Sequence, residues 1–304
     1  NFYPDIQKSK KSIIDKKQWL YKYIIVLMTI ILTASGMPLG LCLDSPKTGK
    51  IAITPQFDHA DPFSEGLAAV RIDNKWGYID KTGKIVIQPQ YKKVNVFKED
   101  LAPVQSGFDF NVGYINKKGD LVIPAEFSHG SPFSEGLAVV YQNGKYGYIN
   151  KTGALVIRPQ FNDASSFSEG LAAVRIGHKW GFVDKDGRFA NEMQFDGVKA
   201  FSEGLAAVQI DYKWGFIEKN GDIVIPVQFH QVDSFYKGIA AVKASDKWGY
   251  INQTGQIIIP PQFQEARSFS DELAAVKIDD KWGYINQIGQ IVIQPQFEYP
   301  LFEY

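Results

Sequence analysis

Most of the chain after residue 47 repeats one pattern of short apolar segments separated by polar turns. The clearest copy has apolar segments at Leu67–Ile72, Trp76–Asp80 and Ile85–Ile87, with turns at 73–75 and 81–83. Segments rich in branched and aromatic residues, bounded by Asn, Asp and Gly, predict β-strands. A short turn that ends in glycine is typical of a hairpin. The pattern therefore predicts an antiparallel meander of three strands.

A fourth, edge strand is predicted in Tyr91–Phe97. Pro89 precedes it and has no N–H to donate, so the third strand is predicted to stop near this residue. No part of the body shows a convincing 3.6-residue period, and helix is therefore predicted to be a minor component.

The turn glycines recur at a nearly constant interval. Successive glycines are 34 residues apart except for one interval of 36, and they are Gly49, Gly83, Gly119, Gly153, Gly187, Gly221, Gly255 and Gly289. Self-similarity at a fixed period is the signature of a repeat architecture. Residues 44–304 are therefore predicted to be one array of seven full repeats and a partial eighth.

The apolar residues of a strand are consecutive rather than alternate. Leu67–Val70 is apolar throughout, and successive side chains of a strand point to opposite faces of its sheet. Both faces of each small sheet must therefore be covered. The fold class predicted is all-β, a tandem array of ~34-residue meanders stacked as small sheets, closed as a propeller-like ring or wound as an open solenoid or spiral.

A tryptophan followed by glycine marks the second strand of most repeats. The pairs are Trp76-Gly77, Trp180-Gly181, Trp214-Gly215, Trp248-Gly249 and Trp282-Gly283. Glycine weakens a strand unless the space is needed, and a neighbouring aromatic ring can cover the bare backbone. We interpret the pairs as a packing signature of the repeat. The alternative is a row of exposed tryptophans that bind sugar rings.

The segment KWGYIDKTGKIVIQPQY, preceded by FSEGLAAV, resembles the WG-repeat, or KWG-repeat, family of bacterial proteins. The resemblance rests on glycines, tryptophans and the SEG-L-A-x-V segment recurring together in register. It implies tandem β units, often in exported or multidomain bacterial proteins, without an established general activity. It brings no catalytic residues to this chain.

Charge is unevenly distributed, although the formal net charge of the 304 residues is zero. Residues 1–43 hold six lysines and two acids, which leaves 27 basic and 31 acidic residues in the body, a net of −4. A mildly acidic body has no electrostatic footprint for nucleic acid, so no nucleic-acid partner is predicted.

The first 43 residues form a separate segment, in which lysines precede the uncharged run Tyr23–Leu43. This arrangement predicts a signal peptide or a membrane anchor. Gly36, Pro38 and Gly40 disfavour a long helix and favour a cleaved signal. The chain is therefore predicted to be exported across the cytoplasmic membrane to the periplasm, cell surface or medium. An uncleaved segment would keep it membrane-anchored.

The chain offers little for metal or nucleophilic chemistry. Cys42 is the only cysteine, and the four histidines are scattered over turns. No disulfide, metal site or cofactor is predicted. A column of acids is predicted to cap turns and form surface ion pairs; its members are Glu65, Glu99, Glu135, Glu169 and Glu203. A column of glutamines is predicted to form hydrogen bonds between repeats; its members are Gln56, Gln90, Gln160, Gln194, Gln228, Gln262 and Gln296.

Two departures from the repeat are candidate partner contacts. The turn after Gln105 is two residues longer than in other repeats, and places Phe108, Asp109 and Phe110 where others have a short polar turn. Asn191 replaces an isoleucine in a third strand. Exposed aromatic side chains are typical of binding sites. The alternative interpretation of both departures is decay of the repeat.

These observations predict an exported, non-enzymatic repeat protein that provides a binding or scaffolding surface for protein or glycan partners. One alternative is a hydrolase of envelope polysaccharide or peptidoglycan that uses acids on one face. Equivalent acids share one environment, however, which gives no separation of their pKa values. A structural spacer at the cell surface is the other alternative.

We predict that the repeat array folds without a metal ion, cofactor or disulfide, because its apolar pattern supplies the core. Thermal unfolding of the protein followed by circular dichroism, with and without a chelator, should give the same midpoint. A large shift with the chelator would contradict this prediction.

Overall fold

A computed structural model describes residues 52–107 and 110–300 of the protein. The described part contains 27 β-strands and no helix. The strands form seven small antiparallel sheets that follow one another along the chain. The all-β tandem array predicted from the sequence is confirmed. The predicted signal or anchor segment lies outside the described residues.

Six sheets have four strands and the fourth sheet has three. In chain order, the strands of each sheet are: first sheet, His59–Ala60, Leu67–Ile72, Lys75–Asp80 and Ile85–Tyr91; second, Lys93–Val94, Leu101–Gln105, Val112–Asn116 and Leu121–Phe127; third, His129–Gly130, Leu137–Gln142, Lys145–Asn150 and Leu155–Phe161; fourth, Asp163–Ala164, Ala172–Ile176 and Lys179–Val183; fifth, Gly197–Val198, Ala206–Ile210, Lys213–Ile217 and Ile223–Phe229; sixth, Gln231–Val232, Ile239–Ala244, Lys247–Asn252 and Ile257–Phe263; seventh, Glu265–Ala266, Leu273–Ile278, Lys281–Asn286 and Ile291–Phe297.

The strands of a sheet lie side by side in chain order, as a two-residue lead strand, two hairpin strands and an edge strand. Asp73 and Asn74 join the hairpin strands with φ of 48° and 61°. Two successive residues with positive φ match the twist of the flanking strands. The turn is therefore one residue shorter than predicted, and Lys75 already belongs to the second hairpin strand.

The predicted stop at Pro89 is wrong, because the edge strand runs on to Tyr91. Proline is tolerated here because an edge strand has one side without a neighbour. Each edge strand of the described chain contains proline, which also blocks pairing with foreign strands; the residues are Pro89, Pro124, Pro159, Pro226, Pro260, Pro261 and Pro295.

The predicted strand Tyr91–Phe97 is reduced to Lys93–Val94. These two residues pair with Gln105 and Val104 of the following hairpin rather than with the preceding edge strand. The segment is thus the link between two sheets, and it starts the second sheet.

The core lies between successive sheets. Leu67, Ala69 and Tyr78 of the first sheet pack with Ala102 and Val104 of the second, while the opposite face of the first sheet buries Ala68, Val70 and Ile79. Six buried clusters join the seven sheets in this manner. The prediction that both faces of a sheet are covered is confirmed for these sheets.

In four of the five tryptophan-glycine pairs, a close backbone approach requires the glycine; in the fifth, a Cβ added at Gly181 would instead lie 2.5 Å from the side-chain sulfur of Met193. A Cβ added at Gly249 would lie 2.5 Å from the carbonyl oxygen of Ile259 and 2.6 Å from the nitrogen of Pro261. The register shifts here, between Trp248 and Tyr250, so the edge strand bulges against the glycine. The predicted role of tryptophan as a cover for bare backbone is therefore not the reason for this glycine.

We predict that Gly249→Ala destabilises the protein by about 2–3 kcal/mol, because overpacking must displace main chain. Gly238→Ala is the matched control, since Gly238 has φ of 77° but nothing within 4 Å of an added Cβ. Its cost should be the conformational strain alone, about 1 kcal/mol. Urea unfolding of both variants measures the difference, and equal losses would contradict the steric explanation.

Candidate interaction sites

The lengthened turn lies between the two hairpin strands of the second sheet. Phe108 and Asp109 lie outside the described residues. Phe110 is 62% exposed and has φ of 51°. The Nζ of Lys92 lies 4.0 Å from the centroid of its ring. The turn thus presents an aromatic ring together with a cation, as the sequence led us to expect for Phe110.

Gln105 is the last residue of the strand before this turn and is buried, with 7% of its surface exposed. Its Nε2 donates a hydrogen bond to the carbonyl of Phe110, whereas its buried Oε1 has no hydrogen-bond partner among the described residues. Sequence reasoning missed this residue. The sequence did contain a signal for it, since both members of one cross-strand pair differ from the first sheet. Gln105 pairs with Val112 in the second sheet, whereas Arg71 pairs with Trp76 in the first.

Asn191 lies at a different place, between the fourth and fifth sheets. The edge strand of the fourth sheet is missing, and the backbone N–H of Phe182 donates instead to Asn191 Oδ1 at 3.2 Å. A Cβ added at Gly221 of the fifth sheet would lie 2.9 Å from the Cβ of Asn191. Asn191 Nδ2 is buried and has no hydrogen-bond partner in the described part of the chain. Within the described chain, no contact joins Asn191 to the turn of the second sheet.

The tryptophans line the rims of the clusters between sheets. Trp76, Trp180, Trp214 and Trp248 are half-buried, and Trp282 is buried. Arginine side chains cover three of the rings, at 5.3–5.7 Å between guanidinium carbon and centroid: Arg71 on Trp76, Arg175 on Trp180 and Arg267 on Trp282. This arrangement favours the packing interpretation over an exposed stripe for sugar rings.

The glutamate column connects neighbouring sheets. Glu65 Oε1 accepts a hydrogen bond from the N–H of Glu99 at 2.6 Å, and Oε2 accepts one from Asp100 at 3.0 Å. The Nζ of Lys117 lies 3.1 Å from Glu65 Oε2. Three further positions have the same ion pair, at 3.0–3.4 Å: Lys151 with Glu99, Lys185 with Glu135 and Lys219 with Glu169. We call this series the glutamate ladder.

The ladder was only partly foreseen as turn capping and surface ion pairs. Its carboxylates accept hydrogen bonds from the next sheet rather than from their own turn. Glu135, for example, accepts one from the backbone N–H of Gly170 at 2.9 Å. The spacing between each glutamate and its lysine was the signal in the sequence, since it is 52 residues in the first two pairs and 50 in the next two.

Hydrogen bonds and ion pairs also lower the pKa of two ladder carboxyls, Glu135 and Glu65. Burial raises the pKa of Glu135, but the Lys185 ammonium and the Gly170 amide outweigh it, so the net shift is downward from the usual 4.5. The pKa of Glu65 is likewise lowered, since the amides of Asp100 and Glu99 and the Lys117 ammonium outweigh its burial.

The glutamine column does not form the predicted ladder. These side chains are exposed, and none has a hydrogen-bond partner among the described residues. Hydroxyl groups take that role: Ser64 Oγ donates to the carbonyl of Phe97 and the Tyr78 hydroxyl donates to that of Asn95, both at 2.7 Å. A serine or tyrosine that is buried between sheets reaches the next main chain, whereas an exposed glutamine does not.

In the described part of the chain, no group of three or more His, Cys, Asp and Glu side chains is arranged to hold a metal ion. None of its elements is a helix long and apolar enough to cross a membrane.

The fold and these contacts define a tandem β-repeat protein. The WG containing repeat matches at residues 47–76, 76–107, 113–146, 146–180, 180–214, 214–248, 248–282 and 282–299. The chain belongs to this repeat family, as its resemblance predicted. No curated protein matches the chain.

Solved β-propeller proteins have a similar fold. Virginiamycin B lyase from Staphylococcus aureus is 15% identical, with a TM-score of 0.40 and coverage of 75% of this chain and 94% of the lyase. Hsv2 from Kluyveromyces lactis is 9% identical, with a TM-score of 0.46 and coverage of 78% and 98%. Dihydro-heme d1 dehydrogenase NirN is 14% identical, with a TM-score of 0.48 and coverage of 80% and 66%.

The prediction that the protein is not an enzyme requires correction. It was drawn from the regularity of the repeat, yet a lyase and a dehydrogenase are among the proteins of similar fold. A regular array of small sheets is therefore no argument against catalysis. The similarity concerns the fold alone, and neither reaction is transferred to this chain.

We predict that the ladder makes stability depend on pH. A carboxyl whose pKa is lowered by folding stabilises the protein above its ordinary pKa, and this contribution is lost as the pH falls through the lowered value. The free energy of unfolding should therefore fall below about pH 4.5, and Glu135→Gln should reduce that fall. Denaturant unfolding at pH 7 and pH 3 measures it.

Glu126→Gln is the matched control for this prediction, because Glu126 is exposed and has no hydrogen bond or ion pair within the described residues. If both variants show the same pH dependence, the ladder is not its source.

Proposed function

We propose that this protein is an exported scaffold that binds a partner protein through the lengthened turn Gln105–Asn111. The repeat family and the stacked sheets support a binding role in general. The observation that carries the specific proposal is the exposed Phe110 ring under the Lys92 ammonium. Export rests on the basic and apolar segment before residue 44.

A repeated surface is the reason to seek the site at a departure from the repeat. Equivalent sheets present equivalent side chains, so recognition of one particular partner requires a place where the sheets differ. The second sheet differs by two added residues and by Val112 in the place of tryptophan. Aromatic side chains are enriched at protein interfaces and supply much of their binding energy.

Gln105 adds a polar group to this argument. Its buried Oε1 has no donor among residues 52–107 and 110–300, and an unpaired buried acceptor costs about 1–3 kcal/mol. Rearrangement of the turn on binding would let a backbone N–H of the partner pair with this oxygen. A protein partner is favoured over a glycan because the tryptophans, the best platforms for sugar rings, are largely covered.

The test is a replacement of Gln105–Asn111 by Arg-Ile-Asp-Asn-Lys, the sequence found at residues 71–75. The short turn suits this hairpin, so the variant should fold with unchanged or higher stability. Wild type and variant serve as baits for extracellular and envelope extracts, and any protein recovered only by the wild type is purified and its Kd measured. We expect the variant to lose at least about 1–2 kcal/mol of binding energy.

Phe110→Ala is the milder companion variant, and Tyr212→Ala is its control, since Tyr212 is an exposed aromatic residue on the equivalent turn of the fifth sheet. The proposal predicts weaker binding for Phe110→Ala alone. Unchanged affinity of the replaced turn, or recovery of a glycan instead of a protein, would overturn it.

A further inference from the structure

The glutamate ladder continues into the sixth sheet without its cation. Gln253 occupies the position that lysine holds in the four preceding ion pairs. Its Nε2 donates weakly to Glu203 Oε2 at 3.2 Å and to the Glu203 carbonyl at 3.3 Å. No ammonium or guanidinium group pairs with the Glu203 carboxylate within the described residues.

The Glu203 carboxylate is nevertheless held in the same way as the others. Lys237 and Gly238 of the next sheet donate backbone N–H groups to its two oxygens, at 2.5 Å and 2.8 Å. The Lys237 ammonium itself is directed elsewhere, to the carbonyl of Asp271 at 3.2 Å. The Glu203 carboxylate is therefore held in place by backbone N–H groups like the other ladder carboxylates. The lysine ammonium that pairs with the others has no counterpart here among the described residues.

An open cleft of about 560 Å³ lies at this position, lined by Glu203, Gly204, Leu205, Glu218, Lys219, Asn220, Val224 and Gln253. Glu218 is a second departure from the repeat, because the equivalent hairpin position elsewhere is Asp or Asn. Asn252, for example, accepts backbone N–H groups within its own turn. In the fifth sheet Asn220 takes over that role toward Asp222.

The longer Glu218 side chain is thereby freed from the turn. It has no hydrogen bond or ion pair with any described residue, and it is exposed. Lys219 does not neutralise the Glu218 carboxylate, because the Lys219 ammonium pairs with Glu169 at 3.4 Å. Two carboxylates, Glu203 and Glu218, therefore line the cleft without a cation of their own.

We propose that this cleft binds the ammonium group of a lysine side chain on a partner protein. The chain itself supplies the precedent, because four of its own lysines place Nζ 3.0–3.4 Å from the equivalent glutamate. Val224, which is 36% exposed, offers an apolar wall for the methylene groups of the lysine stem. This site belongs to the fifth and sixth sheets and is separate from the turn of the second sheet.

The test is a nuclear magnetic resonance titration of the full chain with Nα-acetyl-lysine methylamide. The amide signal of Gly238 and the side-chain amide signal of Gln253 should shift and saturate. Gln253→Lys should supply the missing cation from within, and weaken the Kd for the probe about fivefold or more. Glu218→Asn should also weaken binding.

Gln287→Lys is the matched control, because it introduces lysine at the next position of the same column, where Lys237 stands in place of the glutamate. Its affinity for the probe should equal that of the wild type, as should that of the protein with the replaced turn. The proposal fails if Gln253→Lys binds unchanged, if Nε-acetylated probe binds equally, or if the arginine analogue binds more tightly.

Discussion

Each sheet of this protein depends on its neighbours to cover both of its faces. A small sheet that is apolar on both faces cannot bury them by itself, so it is stable only when stacked between neighbours. Leu67 and Ala68 point to opposite faces of one strand, and each is buried in a different cluster. The stabilising unit is thus the interface between two sheets. We expect unfolding of one sheet to expose the faces of both neighbours.

Close packing of the sheets places strict demands on the main chain. The bulge of the edge strand leaves no room for a Cβ at Gly215 or Gly249, which explains the glycine of the tryptophan-glycine pair in the sheets that have an edge strand. Directed polar contacts then fix the spacing between sheets, since Ser64 and Glu65 reach main-chain groups 33 to 35 residues away. Apolar burial supplies the stability, and these hydrogen bonds set the geometry.

A departure from the repeat is tolerated where another group makes the hydrogen bond or packing contact that the repeat residue would make. Asn191 Oδ1 replaces a main-chain acceptor after the loss of an edge strand, so its change is structural compensation in the fourth sheet. Phe110 and Glu218 meet no such demand. Both are exposed on a folded support, and this difference separates the proposed interaction sites from simple decay of the repeat.

The period, the strand type and the burial of both faces could be predicted from the sequence, because these follow from residue types along one strand. The sequence also identified Phe110 as exposed on a lengthened turn. The predictions that the third strand ends near Pro89 and that Lys93–Val94 belongs to the edge strand of the first sheet were wrong. Both depend on strand pairing, which involves segments distant along the chain. The prediction that the glutamines link the sheets was also wrong, because Glu65 and Ser64 make these links. Only the tertiary structure decides which polar column reaches the next sheet, because that depends on the offset between stacked sheets.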